Sequence, residues 1–541
     1  MDCRYDVIIV GGGVNGAGIF RDASLRGLRC ALVEKEDFAA GASGASSGMI
    51  HGGVRYLLHQ PKVTKLACLD SGRIQRLAPH LLFRIPFLFA VPRGRKLARG
   101  MLLGLDGFFE AYDRYQPLKR GLRHERLTGA EARRVEPGLA EDIAGAVVFD
   151  EWGIDGQRLC WLNARSGMDA GGECFTHVRV DAVEPRGGGA PGWVVRGRRT
   201  LDGSRWEATA RAVMNAAGAW GPGVAGLGGG SYRLRPSKGI HLVLDRRVSN
   251  YSITASALDG RSIFLEPWQN ITILGTTDDD YFGDLDDVPV LQDEVEYLLA
   301  SIESIYPSIR ECRLIDAWVG VRPTLYRYGP YEDDLSRDHE VFDHGERDGK
   351  PGLFSIAGGK LASYRAMSED AADVLARHLG VTKPCRTADE VLPGGDAPAD
   401  EEGLAGEFRL PRHAVRRLAY RHGSLAAEVL RPCVERPAAR RSICRCEPVL
   451  EAEVRWAVRR ELARTLADVS RRTRFGTGPC GGIRCALPAA LVLAEETGRD
   501  AAWARDEARR FLEARYRSRR AVVGGDQFRM EAIIARAVQE L

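Results

Sequence analysis

The sequence lacks several features that would place it in a specialised class of protein. It has no run of 18 or more consecutive apolar residues, which argues against a transmembrane helix. Its first residues lead directly into an apolar strand, VIIV, so no secretory signal is predicted. The formal net charge is only +4, whereas a nucleic-acid-binding domain would be strongly basic. We therefore expect a cytoplasmic protein that binds no nucleic acid.

A cytoplasmic location also disfavours structural disulfides, so the twelve cysteines need another explanation. Eight of them are scattered singly along the chain. The other four, Cys444, Cys446, Cys480 and Cys485, are clustered near the C-terminus and indicate a shared site.

The length of 541 residues is too great for one hydrophobic core, so several structural units are expected. Strand and helix patterns alternate over residues 1–380, with residues 61–140 predicted to be mostly helical. An antiparallel substrate domain is predicted to be interleaved at roughly residues 80–150 and 232–345. Residues 381–437 are predicted to form a linker and helical cap, residues 438–492 the cysteine-bearing domain, and residues 493–541 a helical tail. The linker itself is placed at residues 391–406, which are rich in proline, glycine and acids.

A glycine-rich turn follows the first predicted strand. The GxGxxG pattern lies between an apolar strand and a helix, and a second strand, CALVE, ends in an acidic residue. Glycines let the backbone approach a pyrophosphate, the helix N-terminus attracts that anion, and the acid accepts hydrogen bonds from a ribose diol. The combination predicts a dinucleotide site with contacts from Gly11, Gly13, Asn15, Gly16, Glu34 and Lys35.

Further segments favour FAD over NAD. Residues 41–47 bring small and hydroxyl side chains to where a flavin diphosphate would lie, and three later segments add a strand, a strand end and a Gly-Gly-Lys turn that opens a helix. These dispersed segments resemble the glutathione-reductase-like FAD fold in its D-amino-acid-oxidase branch, which implies an α/β class, or α+β overall. The additional cofactor contacts predicted are Ser43, Ser46, Ser47, Val180, Ala217, Gly218, Gly358, Gly359 and Lys360.

Several co-linear motifs within residues 5–375 resemble the FAD-dependent glycerol-3-phosphate dehydrogenase family. They include SSGMIHGGVRYL from Ser46, KGIH from Lys238, GTTD from Gly275, GVRP from Gly320, SRD from Ser336 and GKLASYR from Gly359. The resemblance implies oxidation of glycerol 3-phosphate by hydride transfer to FAD. It also implies membrane quinone as the final electron acceptor, reached directly or through partner proteins.

The same resemblance implies roles for individual side chains. A dianionic phosphate calls for guanidinium groups, which bind phosphate oxygens in pairs, and here the candidates are Arg55, Arg322 and Arg337 with Tyr56 nearby. The C2 hydroxyl proton needs a base. His51 and His241 are both candidates, and the sequence does not rank them. Lys360 is expected over the flavin, and it is counted with Arg322 among the catalytic residues.

The cysteine cluster has the spacing C-x-C, then 33 residues, then C-x4-C. Four thiolates can bind a 2Fe–2S cluster or a zinc ion, but zinc knuckles favour two-residue spacings in both pairs. The segments CRCE and SRRTRFGTGPCGG resemble the BFD-like 2Fe–2S domain of the anaerobic type of the family, so we predict that Cys444, Cys446, Cys480 and Cys485 bind 2Fe–2S. Zinc, or an empty site, stays open as an alternative.

Some alternatives remain at this point. The N-terminal signature is closer to the aerobic homodimeric type and the cysteine domain to the anaerobic type, so partner proteins, oligomeric state and acceptor stay open. The second interpretation is a hydroxy-acid or amine oxidase of the same fold, and the third is an iron–sulfur protein for electron transfer or sensing. Basic and apolar residues alternate over residues 81–109, which is also typical of a segment that lies on a membrane surface.

Overall fold

The computed structural model describes residues 3–54, 57–58, 61–94, 98–329 and 338–539. Arg55, Tyr56 and Arg337 lie outside this part of the chain. The strands are β1 Tyr5–Val10, β2 Cys30–Val33, β3 Leu82–Pro92, β4 Glu125–Thr128, β5 Ile143–Ile154, β6 Glu173–Phe175, β7 Val178–Pro185, β8 Trp193–Arg199, β9 Arg205–Asn215, β10 Ser237–Leu244, β11 Ser252–Ser256, β12 Ser262–Trp268, β13 Ile271–Gly275, β14 Asp279–Asp280, β15 Leu314–Arg322, β16 His339–Asp343, β17 Leu353–Gly358, β18 Ser442–Cys444 and β19 Val449–Leu450.

Helices cover the sheets and form most of the C-terminal part. They are α1 Val14–Leu25, α2 Pro61–Leu77, α3 Ala98–Asp113, α4 Gly129–Val135, α5 Gly156–Asp169, α6 Gly221–Leu227, α7 Gln292–Glu303, α8 His344–Asp348, α9 Tyr364–Leu379, α10 Glu401–Phe408, α11 Arg412–His422, α12 Ala426–Leu430, α13 Pro432–Glu435, α14 Glu451–Arg460, α15 Leu466–Thr473, α16 Ala486–Thr497, α17 Ala501–Arg519 and α18 Gly525–Gln539. None of the described helices has the length and apolar character needed to cross a bilayer.

The first sheet is built around parallel strands in the order β17-β9-β1-β2-β6. Every residue of β1 is buried, which suits a strand covered by helices on both faces. Two antiparallel additions complete the sheet: β16 pairs with β17, and the β7–β8 hairpin pairs with β9. β16 falls in the range predicted for the substrate domain, but it lies in this first sheet.

The second sheet has the order β14-β10-β13-β12-β11-β3-β5-β4, with β15 also paired to β10. Its pairs are antiparallel except for β11 with β3. Residues 61–140 are mostly helical as predicted, in α2, α3 and α4, but β3 and β4 are strands that interrupt them. In β3, Pro86 and Pro92 explain the difference, because proline removes a helix hydrogen bond and clashes with the preceding turn.

The predicted linker at residues 391–406 is likewise ordered. Leu392 is buried in the core of the first sheet's unit, and its N–H donates to the carbonyl of Leu77 at 2.9 Å. Residues 401–406 begin α10, where the Asp400 side chain accepts from the N–H of Gly403. The composition suggests a flexible segment, but the burial of Leu392 and the Asp400 cap of α10 hold it in a defined conformation.

The C-terminal helices pack against the unit of the first sheet through buried charges. Arg472 and Asp37 are both fully buried, with Nη1–Oδ2 2.9 Å and Nη2–Oδ1 2.6 Å. Such a two-bonded pair orients both partners. The pairs that cross this contact include Arg472–Asp37, His177–Asp468 and Arg158–Glu461.

Candidate active site

A cavity of about 1010 Å³ lies between the first and second sheets, and we call it the central cavity. Its wall contains side chains or backbone from the β1–α1 turn, the loop after β2, and the ends of β7, β9, β10, β15 and β17. Of the residues predicted from the sequence, the central cavity is lined by Gly11, Gly13, Asn15, Glu34, Lys35, Ser43, Ser46, Ser47, His51, Val180, Ala217, Gly218, His241, Arg322, Gly358, Gly359 and Lys360. These scattered positions therefore meet at one place.

The glycines at the start of the cavity are required by space and by backbone conformation. Gly11 has φ +114°, and a Cβ there would lie 2.5 Å from the carbonyl oxygen of Ala216. Gly16 is buried behind the wall, where a Cβ would lie 1.8 Å from the carbonyl oxygen of Gly11. Gly13 has no side chain to cap α1, and apart from the Val14 N–H, which donates to Ser43 Oγ, the N–H groups of the first turn can bind an anion at this end of the cavity.

Two backbone hydrogen bonds orient the carboxylate of Glu34 so that it can bind the two hydroxyls of a ribose. Its Oε2 accepts from the Gly12 N–H at 2.6 Å, and its Oε1 accepts from the Glu36 N–H at 2.8 Å. Burial raises the pKa of Glu34, and these two backbone donors oppose that rise. Each carboxylate oxygen still has a lone pair for a ribose hydroxyl. Glu34 and the α1 N-terminus thus fit an adenosine diphosphate.

Lys35 has a different environment from the neighbouring contacts. Its ammonium pairs with Asp286 and lies 3.9 Å from the centroid of the Trp220 ring. Both partners also line the central cavity. A direct role for Lys35 with the cofactor stays a prediction.

Small residues shape the middle of the cavity. Ser43 Oγ accepts from the Val14 N–H at 2.9 Å, and Ser46 Oγ donates to the carbonyl of Ser43 at 3.2 Å. On the opposite wall, Gly358 and Gly359 have φ +80° and +79° and lead into Lys360. A Cβ at Gly358 would lie 2.3 Å from the carbonyl oxygen of Asp338. Because these two glycines have no side chains, a planar cofactor ring in the cavity can approach the backbone of this turn closely.

His241 and His51 have contrasting hydrogen bonds. The Nε2 atom of His241 lies 3.0 Å from Ser47 Oγ, and its ring centroid lies 5.8 Å from that of Trp318. Burial, followed by the charge of Arg322, lowers the pKa of His241 to about 3. His51 instead accepts a hydrogen bond at Nδ1 from the Gly53 N–H, at 2.9 Å.

Arg322 brings positive charge to this end of the cavity. Its Nη1 lies 3.0 Å from Asp278 Oδ1, and its Nη2 donates to Thr276 Oγ1 at 3.0 Å. The side chain remains 29% exposed, so the guanidinium is oriented without being enclosed. The acidic partner is a finding of the structure, because no motif in the sequence pairs Asp278 with Arg322.

Glu151 is a cavity residue that sequence reasoning missed. It accepts from the Gly52 N–H at 3.0 Å and from Tyr112 OH at 2.6 Å, and it pairs with the fully buried Lys119 at 2.5 Å. This buried pair holds the turn that carries His51. No motif marks it, since Glu151, Tyr112 and Lys119 come from three separate elements.

The four clustered cysteines also come together. Cys444 ends β18, Cys446 follows in the turn to β19, and Cys480 and Cys485 lie in the loop before α16. The Sγ atoms of Cys446 and Cys480 are 3.9 Å apart. Among the described residues, no three of these sulfur atoms lie within 4.8 Å of one another.

Two of these thiols are poised to ionise. A hydrogen bond from Cys485, together with the N–H groups of Gly482 and Arg484, lowers the pKa of Cys480 to about 5 against the effect of burial. The same Cys485 thiol lowers the pKa of Cys444 to about 7. Thiolates are the form that binds metal, so the donor set fits an iron–sulfur cluster or a metal ion.

The parallel nucleotide-type sheet, the glycine turn and the central cavity define an α/β oxidoreductase that uses a bound dinucleotide cofactor. The chain belongs to the FAD dependent oxidoreductase family, whose model matches residues 6–365. A second model, the C-terminal domain of alpha-glycerophosphate oxidase, matches residues 385–504.

Individual relatives agree with this assignment. The chain is 34% identical over 527 residues to one of the subunits of the anaerobic glycerol-3-phosphate dehydrogenase of Escherichia coli K12, covering 97% of this chain and 94% of the relative. It is 33% identical to the corresponding protein of Haloferax volcanii, covering 91% of this chain and 83% of the relative. Among solved structures, glycerol-3-phosphate dehydrogenase from Bacillus halodurans complexed with FAD matches with TM-score 0.71, 26% identity and coverage of 96% and 95%.

Proposed function

We propose that this protein oxidises sn-glycerol 3-phosphate to dihydroxyacetone phosphate, with FAD as the hydride acceptor, and passes the electrons to a 2Fe–2S cluster on its four clustered cysteines. The observation that carries the proposal is the central cavity, which joins a dinucleotide-shaped end to a cationic end at Arg322. The names of the relatives supply the substrate. Bound FAD would supply the hydride acceptor, and the protein supplies binding and orientation.

The proposal uses the residues at the cationic end to hold the phosphate and to align C2. Arg322, oriented by Asp278, offers a charged donor to phosphate oxygens. Arg55, Tyr56 and Arg337 are proposed to complete this pocket by family resemblance. Lys360, after the Gly358-Gly359 turn, is proposed to stabilise negative charge on the reduced cofactor.

The spacing of the sulfur atoms favours 2Fe–2S over zinc at the cysteine site. Four thiolates around one zinc ion at about 2.3 Å would place every pair of sulfur atoms about 3.8 Å apart. Here the contacts run from Cys444 to Cys485, from Cys485 to Cys480, and from Cys480 to Cys446, and the described residues include no compact group of three sulfur atoms. An open arrangement suits two iron atoms, each held by two thiolates.

An anaerobic titration tests the whole proposal. Purified protein carrying FAD is titrated with glycerol 3-phosphate while flavin absorbance is recorded, and frozen samples are examined for the EPR signal of a reduced cluster. We expect the flavin band to bleach and the cluster signal to appear, with about two iron atoms and no zinc per chain. A flavin that stays oxidised in excess substrate would refute the activity. A bleached flavin with a zinc-loaded or metal-free site would refute only the cluster.

The runner-up is a hydroxy-acid or amine oxidase of the same fold. The two activities are separated by repeating the titration with 2-hydroxyglutarate, sarcosine or glycine in place of glycerol 3-phosphate. Arg322 favours a dianion over the zwitterions sarcosine and glycine, since a guanidinium binds a dianion more strongly, and the titration itself separates glycerol 3-phosphate from the dianion 2-hydroxyglutarate.

Quinone is the proposed final acceptor, reached directly or through partner proteins, and contact with a membrane surface would bring the protein to it. Three leucines in or next to α2 and α3 are largely exposed: Leu58 before α2 by 71%, Leu66 on α2 by 65% and Leu103 on α3 by 62%. We expect the protein to float with anionic vesicles, and the double variant Leu66→Ser/Leu103→Ser to lose at least half of that binding, because buried apolar area drives such association. Leu258→Ser, at a residue 72% exposed elsewhere, is the matched control. Equal loss in the control would contradict this surface.

A further inference from the structure

The cysteine site presents one of its edges to solvent. Cys444 and Cys485 are 1% and 2% exposed, whereas Cys446 and Cys480 are only half-buried. The Sγ atoms of Cys446 and Cys480 lie 3.9 Å apart, so these two residues form one accessible edge, which we call the outer edge. The inference drawn from it rests on the proposed 2Fe–2S cluster and goes beyond it, because it concerns where electrons leave the cluster and what receives them.

The buried surroundings of the site border the oxidoreductase unit. Arg474 follows α15, is buried, and begins the loop that carries Cys480; its guanidinium carbon lies 4.2 Å from the centroid of the Trp268 ring on β12. Phe264, on the same strand, lines the central cavity. The interior next to the cysteine site thus leads toward the cavity, and the outer edge is the side that another protein can reach.

Two exposed arginines flank the outer edge. Arg445 separates the first two cysteines of the site, and Arg484 directly precedes the last. The backbone N–H of Arg484 donates to the Cys480 thiol. Because Cα atoms of consecutive residues are about 3.8 Å apart, each of these side chains starts one residue away from a sulfur ligand. No ion pair holds either guanidinium within the part of the chain that the structure describes.

The two cysteine loops contain little negative charge to oppose these arginines. Residues 444–447 and 474–485 include one acid, Glu447. Its side chain is buried and accepts from Arg474 Nε at 3.4 Å, so it does not reach the surface as a free charge. A 2Fe–2S cluster on four thiolates is itself anionic, and without the two arginines the outer edge would repel an acidic protein and attract a basic one. The arginines therefore determine which charge a partner can bring to this edge.

We propose that the outer edge, with Arg445 and Arg484, is the docking surface for an acidic protein that carries one electron at a time. Carboxylates beside the partner's redox group pair with the two guanidiniums, which bind them bidentately. Electron-transfer contacts of this kind are small, and charge steers their formation. Oxidation of one glycerol 3-phosphate yields two electrons and two protons. The protons go to solvent, and the electrons reduce two partner molecules in two encounters.

Two forms of one haem protein separate the charge of a partner from its other properties. Native cytochrome c is basic, and succinylation converts its lysines to carboxylates while the haem stays in place. Calorimetry measures the binding of each oxidised form to the oxidised holoenzyme at low salt. We expect the acidic form to bind at least about tenfold more tightly, and the difference to shrink near about 0.15 M salt, where the Debye length is about 8 Å. Equal binding, or a preference for the native form, would overturn the proposal.

Charge reversal locates the surface. Arg445→Glu/Arg484→Glu should weaken binding of the acidic form at least about tenfold and strengthen binding of the native form, because both charges change sign. Arg499→Glu/Arg505→Glu changes the net charge equally at two exposed positions. Arg505 lies about 21 Å before Arg519 along α17, and Arg519 is the residue of that helix that contacts the cysteine loop. Equal weakening in this control would show that only net charge matters, and the docking surface would be disproved.

The calorimetric result is independent of turnover. If glycerol 3-phosphate fails to reduce the wild-type flavin, the proposed function is refuted, while the binding of oxidised cytochromes still tests the docking surface. Loss of vesicle flotation in Arg445→Glu/Arg484→Glu, with cytochrome binding intact, would overturn the proposal in favour of a membrane surface at this edge.

Rapid mixing gives the second readout. Holoenzyme reduced anaerobically with glycerol 3-phosphate is mixed with the acidic cytochrome, and haem absorbance is followed. Arg445→Glu/Arg484→Glu should slow haem reduction by about tenfold at low salt, while substrate bleaches the flavin at the wild-type rate. Arg445→Gln/Arg484→Gln removes the charges without reversing them and should lose less; it carries the test if the glutamates lower the iron content. Haem reduction at the wild-type rate in both variants would contradict the proposal.

Discussion

At the residue scale, the cavity depends on side chains that are oriented by partners distant in the sequence. Asp278 holds Arg322, Ser47 contacts His241, and Glu151 secures the turn of His51. In each case the partner comes from another part of the chain, and Glu151 lies outside the motifs altogether. Orientation by such a partner reduces the conformational entropy lost on binding substrate.

Arg322 provides a test of this orientation. Arg322→Lys keeps the charge, but a single ammonium cannot bond Asp278 and Thr276 through a planar fork while also meeting phosphate. We expect kcat/KM for glycerol 3-phosphate to fall by roughly 10–150-fold, which corresponds to about 1.5–3 kcal/mol for a charged hydrogen bond. Steady-state kinetics with a dye acceptor measures it. Arg313→Lys, at an exposed pair with Asp245, is the control and should change little; equal losses would contradict the prediction.

At the element scale, α15 links the cysteine domain to the cofactor-binding unit, and its start is stabilised by a capping box. Thr465 Oγ1 accepts from the Asp468 N–H at 3.2 Å, and Asp468 Oδ2 accepts from the Thr465 N–H at 2.9 Å. We expect Thr465→Ala to lower the free energy of unfolding by about 1 kcal/mol, because two helix donors lose their acceptors or alignment. Denaturant unfolding followed by circular dichroism measures it. Thr465→Ser retains the oxygen, so a comparable loss in that variant would show that the cap is not the cause.

Much of the first unit can be predicted at this scale. The order strand, glycine turn, helix, strand and acid is local, and each part restricts the next, so neighbouring residues alone identify the β1–α1–β2 segment. β3 escapes prediction because its apolar run has no clear period, and only Pro86 and Pro92 indicate that it cannot be a helix.

The candidate site is predictable to a different extent. The candidate site residues can be named from the sequence, and those that the structure describes, apart from the buried Gly16, lie around the central cavity or at the cysteine site. The pairings cannot be named, because Lys119 and Tyr112 lie outside the motifs and Asp278 meets Arg322 only through a tertiary contact.

At the scale of the whole molecule, the pair of His177 and Asp468 makes the contact between the first sheet's unit and the C-terminal helices sensitive to pH. Burial lowers the pKa of His177, but the bond to Asp468 outweighs it and the pKa is raised; the pKa of Asp468 is lowered to about 2. The histidine contribution is complete below about pH 6.5 and is lost as pH rises through its raised pKa. The aspartate contribution is complete above about pH 4 and is lost as pH falls toward 2.

We therefore expect the free energy of unfolding of the holoenzyme to decrease as pH increases above about 6.5, measured as the denaturant midpoint at each pH. His177→Gln should remove the part of this slope that comes from the pair, because glutamine does not titrate. His339→Gln, at an exposed pair with Asp370, is the matched control. A wild-type slope retained in His177→Gln would contradict the assignment.

Asp37 stands three residues after Glu34, the acid shaped for the ribose, and it is bound on its other side by Arg472 of the C-terminal half. One short loop thus carries both the cofactor contact and the anchor of the neighbouring domain. A shortened gene that ended before β18 would leave Asp37 and Arg158 without their opposite charges in a setting built to exclude water. A chimera assembled from two relatives would have to exchange these anchors together with the C-terminal residues that pair with them. The cofactor-binding unit and the C-terminal domain are therefore constrained to evolve together.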